Sequence, residues 1–161
     1  MDNIVYVATG EVKVGGKDKI LVSNAIGSCI AVVAIDTENK AGGIAHVMLA
    51  GRAPDIEKIK TKYAFNAINE LFGKMGLADN TGKRIKVFIV GGGNVLNIKD
   101  DNVCSDNIRS TVELLERKGV RIHGKAVGGT KRRTVSMDVG NGAIYYSEGD
   151  GPNEILWKTD Q

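Results

Sequence analysis

The apolar and polar positions of this chain change period several times. "CIAVVAID" (Cys29 to Asp36) is an unbroken apolar run rich in β-branched residues, the pattern of a fully buried strand. "AGGIAHVMLA" (Ala41 to Ala50), beyond the turn "TENK", predicts the returning strand. Residues 4–9 predict a first strand, and "KILVSN" (Lys19 to Asn24), after the turn "GGKD", a second. "KVFIV" (Lys86 to Val90) predicts a buried strand running into "GGGN". "VRIHGKAV", "TVSMDV" and "AIYYSE" predict three closing strands, with Asn141-Gly142 as a hairpin-turn signal. Two stretches switch to a helical period. From Thr61 to Met75, residues Tyr63, Ala64, Ala67, Ile68, Leu71, Phe72 and Met75 share one face, and Gly76 is a natural stop. From Asp106 to Lys118 the stripe is Ile108, Val112 and Leu115, with Ser105 as N-cap and Gly119 past the end. The fold class that follows is α/β of the α+β kind. It is a layered, mixed or antiparallel β core of about eight strands with two main helices packed outside.

Composition narrows this only a little. A length of 161 residues suits one domain, 1–161, with a real core. With 42% hydrophobic and 25% charged residues, the chain is ordinary globular material. A net charge of +3 argues against a dedicated nucleic-acid binder. The one dense basic run, "TKRRT" (Thr130 to Thr134), reads as a solvated turn or as a contact to an acidic partner. No apolar run reaches membrane-span length, so no membrane insertion is expected, and the N-terminal "MDNIVYVATGEV" does not read as a signal peptide. Two cysteines cannot build a disulfide scaffold and fit a reducing cytoplasm.

Those two cysteines bring in the chemistry. Cys29 follows a Gly27-Ser28 turn and opens the apolar strand. If "TENK" is symmetric about Glu38 and Asn39, paired residue numbers add to 77 and His46 opposes Ala31. Cys29 then lies one diagonal away on the same face, a gap an imidazole can cover. A shift of one residue would put the two on opposite faces. In the predicted register the imidazole can take the thiol proton, and backbone N–H groups around Gly27, Ser28 and Cys29 can face a developing oxyanion. Ser23, near the end of the preceding strand, is the nearest group to orient the ring. Cys29 as a small core residue and His46 as a structural histidine remain open on spacing alone. "GGGNVL" lacks the Gly-Lys-Ser/Thr ending of a phosphate loop, and His123 has no cysteine or carboxylate at ligand spacing. No metal and no cofactor are expected.

"SNAIGSCIAVVAID" followed by "GGIAHVML" resembles the signature of CheD, the bacterial and archaeal chemoreceptor glutamine deamidase family. Lys62-Tyr63-Ala64, Gly91 to Gly93, Gly128-Gly129 and Arg133 before Thr134-Val135 extend the resemblance over nearly the whole chain. It implies that Cys29 is the nucleophile, His46 the general base and Ser23 the third member. It also implies hydrolysis of a receptor glutamine amide to glutamate through a thioester, chemoreceptor cytoplasmic helices as substrate, and a CheC-type phosphatase as a partner. The implied fold is similar to the cytotoxic necrotizing factor deamidase domain. Departures from the family pattern lie at Val95 and Leu96, at Cys104 and Asp106 in "CSDN", and at Ala126. They leave receptor choice and phosphatase binding open, and they argue against a catalytic Cys104. The alternatives to a deamidase are a non-catalytic chemotaxis adaptor and a cysteine esterase.

Overall fold

The computed structural model describes residues 3–76, 84–100 and 102–160. Ten strands form two five-stranded sheets. The first sheet runs β1 (Ile4–Tyr6), β3 (Ile20–Ile26), β8 (Arg133–Asp138), β9 (Ala143–Glu148), β10 (Glu154–Lys158). The second runs β2 (Val12–Gly15), β5 (Ala41–Val47), β4 (Ile30–Asp36), β6 (Ile85–Gly91), β7 (Ile122–Val127). The helices are α1 (Ala64–Lys74) and α2 (Val103–Arg117).

The unbroken apolar run of β4 has a direct cause. Its alternate residues Ile30, Val32 and Ala34 join a core with Ala67, Ile68 and Leu71 of α1 and Leu115 of α2. The intervening Ala31, Val33 and Ile35 join a second core with Leu21, Val135, Met137 and Ile144 of the other sheet. Strand β4 is therefore the centre of a helix–sheet–sheet stack, buried on both sides. Each fully buried Ile or Leu contributes about 1.5–3 kcal/mol of burial free energy. Both helices lie on one face of the second sheet, and the two sheets face each other across the second core.

The expected β4–β5 register holds. Ala31 pairs with His46 and Asp36 with Ala41, so partner numbers add to 77. Asp36 locks the connecting turn by accepting from the Asn39 backbone N–H (3.1 Å) and from Asn39 Nδ2 (2.8 Å).

Several boundaries differ from the sequence reading. Strands β2 and β10 were not expected. Each has five or fewer residues and lies at the edge of a sheet. Helix α1 starts at Ala64 rather than Thr61, because Lys60–Lys62 form one 3₁₀ turn and Tyr63 is extended (φ −100°, ψ 142°). Helix α2 starts at Val103, with Asn102 and not Ser105 as N-cap. Ser105 instead donates its hydroxyl back to the Asn102 carbonyl (3.1 Å).

Candidate active site

Three segments bring the candidate residues to one end of the inter-sheet core. His46 sits in β5, one residue before its end, and is buried. Ser23 sits in β3 of the opposite sheet and is fully buried. Its hydroxyl lies 2.8 Å from His46 Nδ1 and donates to the Val7 carbonyl at 2.7 Å. With the hydroxyl proton on the Val7 carbonyl, the matching tautomer has Nδ1–H donating to Ser23 Oγ and leaves a lone pair on Nε2. His46 Nε2 is buried and meets no hydrogen-bond partner among the described residues. An orphaned buried ring nitrogen calls for a partner, which a water or a reacting group can supply.

Cys29 does not open β4, as the sequence reading had it. It ends a bend over residues 27–29 and packs, half-buried, against the inter-sheet core. That is the face to which Ala31 and Ile44 contribute and from which His46 reaches Ser23. The bend carries three successive carbonyls, and each is held by a distant donor. Gly93 N–H donates to Gly27 O (2.8 Å), Asn107 Nδ2 to Ser28 O (2.8 Å) and Gly92 N–H to Cys29 O (2.8 Å). In a trans peptide the C=O and the following N–H point in opposite directions. Holding the Gly27 and Ser28 carbonyls therefore turns the Ser28 and Cys29 N–H groups the other way. Neither N–H donates a hydrogen bond to another residue among those described.

The Gly91–Gly93 segment makes this approach possible. A Cβ on Gly91, whose φ is +127°, would overlap the Cys29 carbonyl oxygen and come within 2.5 Å of Ile26 Cγ2. The Gly91 carbonyl is in turn held by Arg133 Nη1 (3.1 Å), which also donates to Gly128 O (2.8 Å). Arg133 is buried and paired with Glu148 at 2.8 Å. Just before the bend, β3 bulges between Ser23 and Ile26 against β8, and Ala25 takes φ +54°. Bulges are common beside functional sites because they re-aim the chain.

Burial sets the resting protonation. Desolvation pushes the Cys29 thiol up and the His46 imidazole down, the latter against a smaller upward pull from the Val7 carbonyl. Both shifts favour the uncharged forms, a thiol and a neutral imidazole, over a standing ion pair. Beside the bend lies a pocket of ≈ 230 Å³ bounded by Gly27, Ser28, Gly93, Val95, Leu96 and Ile98. Cys104, in the first turn of α2, is buried in its wall. Asp106 pairs with Arg109 at 2.6 Å on the outside of the helix. No cluster of three or more metal-ligating side chains occurs among the described residues.

The sequence reading missed Asn107. It is buried, and its amide also donates to the Met48 carbonyl (3.1 Å). A signal was present: Asn107 is a polar residue next to Ile108 in the stripe that continues to Thr111 and Leu115.

A family model described as CheD chemotactic sensory transduction matches residues 48–148. A protein of Chlorobium luteolum named probable chemoreceptor glutamine deamidase CheD is 36% identical over 154 residues, 95% of this chain and 77% of that one. The chain belongs to the CheD family. CheD relatives with the same printed name occur in Methanococcus maripaludis (28% identical, 91% of this chain and 96% of the other). Another, from Syntrophus aciditrophicus, is 32% identical over 83% of this chain and 86% of its own. The match to the CheD family model takes in Gly91 to Gly93, Asn107 and Arg133, and it begins two residues beyond His46.

Proposed function

We propose that this CheD-family chain is a single-domain deamidase of glutamine side chains in chemoreceptors, with Cys29 as nucleophile and His46 as general base. The observation that carries the reading is the buried, unpartnered Nε2 of His46, on the same face as Cys29. Its relatives' names supply the substrate class.

The chemistry follows from the resting state. His46 Nε2 takes the thiol proton as Cys29 Sγ attacks the carboxamide carbon. The oxygen turns towards the N–H groups of Ser28 and Cys29, whose peptide planes are held by the bonds to the Gly27 and Ser28 carbonyls. The tetrahedral species collapses as the imidazolium returns its proton to the leaving nitrogen, releasing ammonia and leaving a thioester. His46 then activates water, which cleaves the C–S bond, and the side chain departs as glutamate. Ser23 holds the ring through Nδ1. Gly27 and Ser28 supply the backbone beside which the substrate amide would lie as it reaches Cys29.

The family resemblance also supports a CheC-type phosphatase as a partner, and exposed Leu96 (80% exposed) with Val95, Ile98 and Val103 offers an apolar surface beside the pocket. No helix among the described residues is long and apolar enough to cross a membrane. Receptor cytoplasmic helices as substrate would place the protein in the cytoplasm.

The test is intact-mass analysis of a receptor cytoplasmic fragment incubated with the protein. Each turnover exchanges NH₂ for OH on one glutamine. The wild type is expected to produce that shift, and Cys29→Ala, folded by circular dichroism, to produce none. An active Cys29→Ala protein would end the cysteine mechanism. An inactive wild type that still binds the fragment would favour the adaptor.

A further inference from the structure

We infer that Asn107 is a positioning residue that sets Cys29 against His46. This rests on the reading of Cys29 and His46 as a working pair.

Asn107 belongs to α2, yet both of its amide hydrogens leave the helix. One goes to the Ser28 carbonyl (2.8 Å), in the peptide that joins Ser28 to Cys29. The other goes to the Met48 carbonyl (3.1 Å), two residues beyond His46. A single planar group therefore spans the two chain ends that carry the thiol and the base.

Those ends lie just outside the ladder that joins the two strands. The β4–β5 ladder begins at the Ile30–Val47 pair, so neither Cys29 nor Met48 is inside it. The remaining donors to the bend, Gly92 and Gly93, tie it to the end of β6 and not to β5. Asn107 alone among these three donors links the Cys29 side to the His46 side. The amide is buried, so water cannot replace it without opening the helix–sheet core. Its contact also fixes the Ser28–Cys29 peptide plane, and with it the direction of the Cys29 N–H. Small misplacements of reacting groups cost up to about a hundredfold in rate.

The experiment measures iodoacetamide alkylation of Cys29 across pH by peptide mass mapping. The proteins are the wild type, His46→Ala, Asn107→Ala, the double variant, Asn107→Gln and Leu115→Ala. Leu115 is a buried residue of the same helix with no contact to the bend's carbonyls, so it controls for lost stability. All are compared below their unfolding temperatures.

The wild type is expected to alkylate faster near neutral pH than His46→Ala, the difference vanishing at high pH where the thiol ionises unaided. Asn107→Ala should fall about tenfold or more at neutral pH, towards the His46→Ala curve. The double variant should be no slower than His46→Ala, Asn107→Gln should recover part of the rate, and Leu115→Ala should follow the wild type. An Asn107→Ala curve matching the wild type overturns the inference and leaves the pair intact. So does an equal slowing by Asn107→Ala with and without His46. Identical wild-type and His46→Ala curves overturn the pair and the inference together. If Asn107→Ala does not fold, Asn107→Gln is judged by the same curves, and a wild-type profile for it counts against a geometric role.

Discussion

His46 lies inside the hairpin ladder and Cys29 one residue outside it, yet they are held in opposite ways. His46 sits within β5, where seven consecutive pairs with β4 fix its place. The turn that sets this register is closed by neighbours in sequence, Asp36 and Asn39. Cys29 sits in an irregular bend whose carbonyls are held by residues more than sixty positions away, Gly92, Gly93 and Asn107. A ladder spreads its stability over many similar bonds, so the loss of one is tolerable. A bend held at single points concentrates it. The base is thus placed by redundancy and the nucleophile by a few specific contacts.

The sharpest way to break this contrast is at the closest approach. Gly91→Ala puts a methyl group into the Cys29 carbonyl at a backbone φ that alanine resists. Expected destabilisation exceeds about 3 kcal/mol in urea unfolding, with loss of deamidation. Ile44→Val, in the middle of the hairpin, should cost only about 0.5–1.5 kcal/mol and keep activity. Similar costs for the two would erase the distinction.

A second test uses pH. His46 titrates below its ordinary value because burial disfavours the imidazolium. The unfolded chain binds that proton near pH 6.5, and the folded chain only at lower pH. The unfolded state therefore holds more protons in this window, and stability falls as pH drops from about 6.5 through the folded value. Activity needs a neutral Nε2, so kcat/KM should hold down to about pH 6.5 and fall tenfold per unit only below the folded value. His123 is also lowered, chiefly by burial, and contributes to stability with the same sign. Comparison with His46→Gln isolates the His46 part, and an acid limb above pH 7 would contradict the neutral resting site.

The smallest effect belongs to Ser23, which touches the base and not the nucleophile. Ser23→Ala removes the Nδ1 acceptor, but the Val7 carbonyl lies 3.5 Å from Nδ1 and can take the proton after a small ring shift. Turnover should fall about tenfold. Ser23→Thr keeps the hydroxyl and should stay near wild-type rate, while its added methyl in a fully buried site lowers stability by about 1 kcal/mol. Initial deamidation rates for both variants decide this, and a Ser23→Ala protein as inactive as Cys29→Ala would make the hydroxyl obligatory.

Local order made half of this site legible in advance. "IAVVAID", "TENK" and "AGGIAHV" determine a doubly buried strand, its return and a pairing sum of 77, because side-chain alternation and turn closure act over a few residues. The same pattern put Cys29 and His46 on one face, and the helical stripes of α1 and α2 were legible for the same reason. Tertiary structure alone decided the rest. Ser23 reaches His46 because two sheets pack face to face, and no period along the chain encodes which β3 residue meets which β5 residue. The short edge strands β2 and β10 exist because longer neighbours offered them open edges. Asn107 gains its role only because α2 docks over the bend and gives its amide two carbonyls. Contacts of long sequence separation depend on the packing of whole layers, and that packing is not written in any one stretch of sequence.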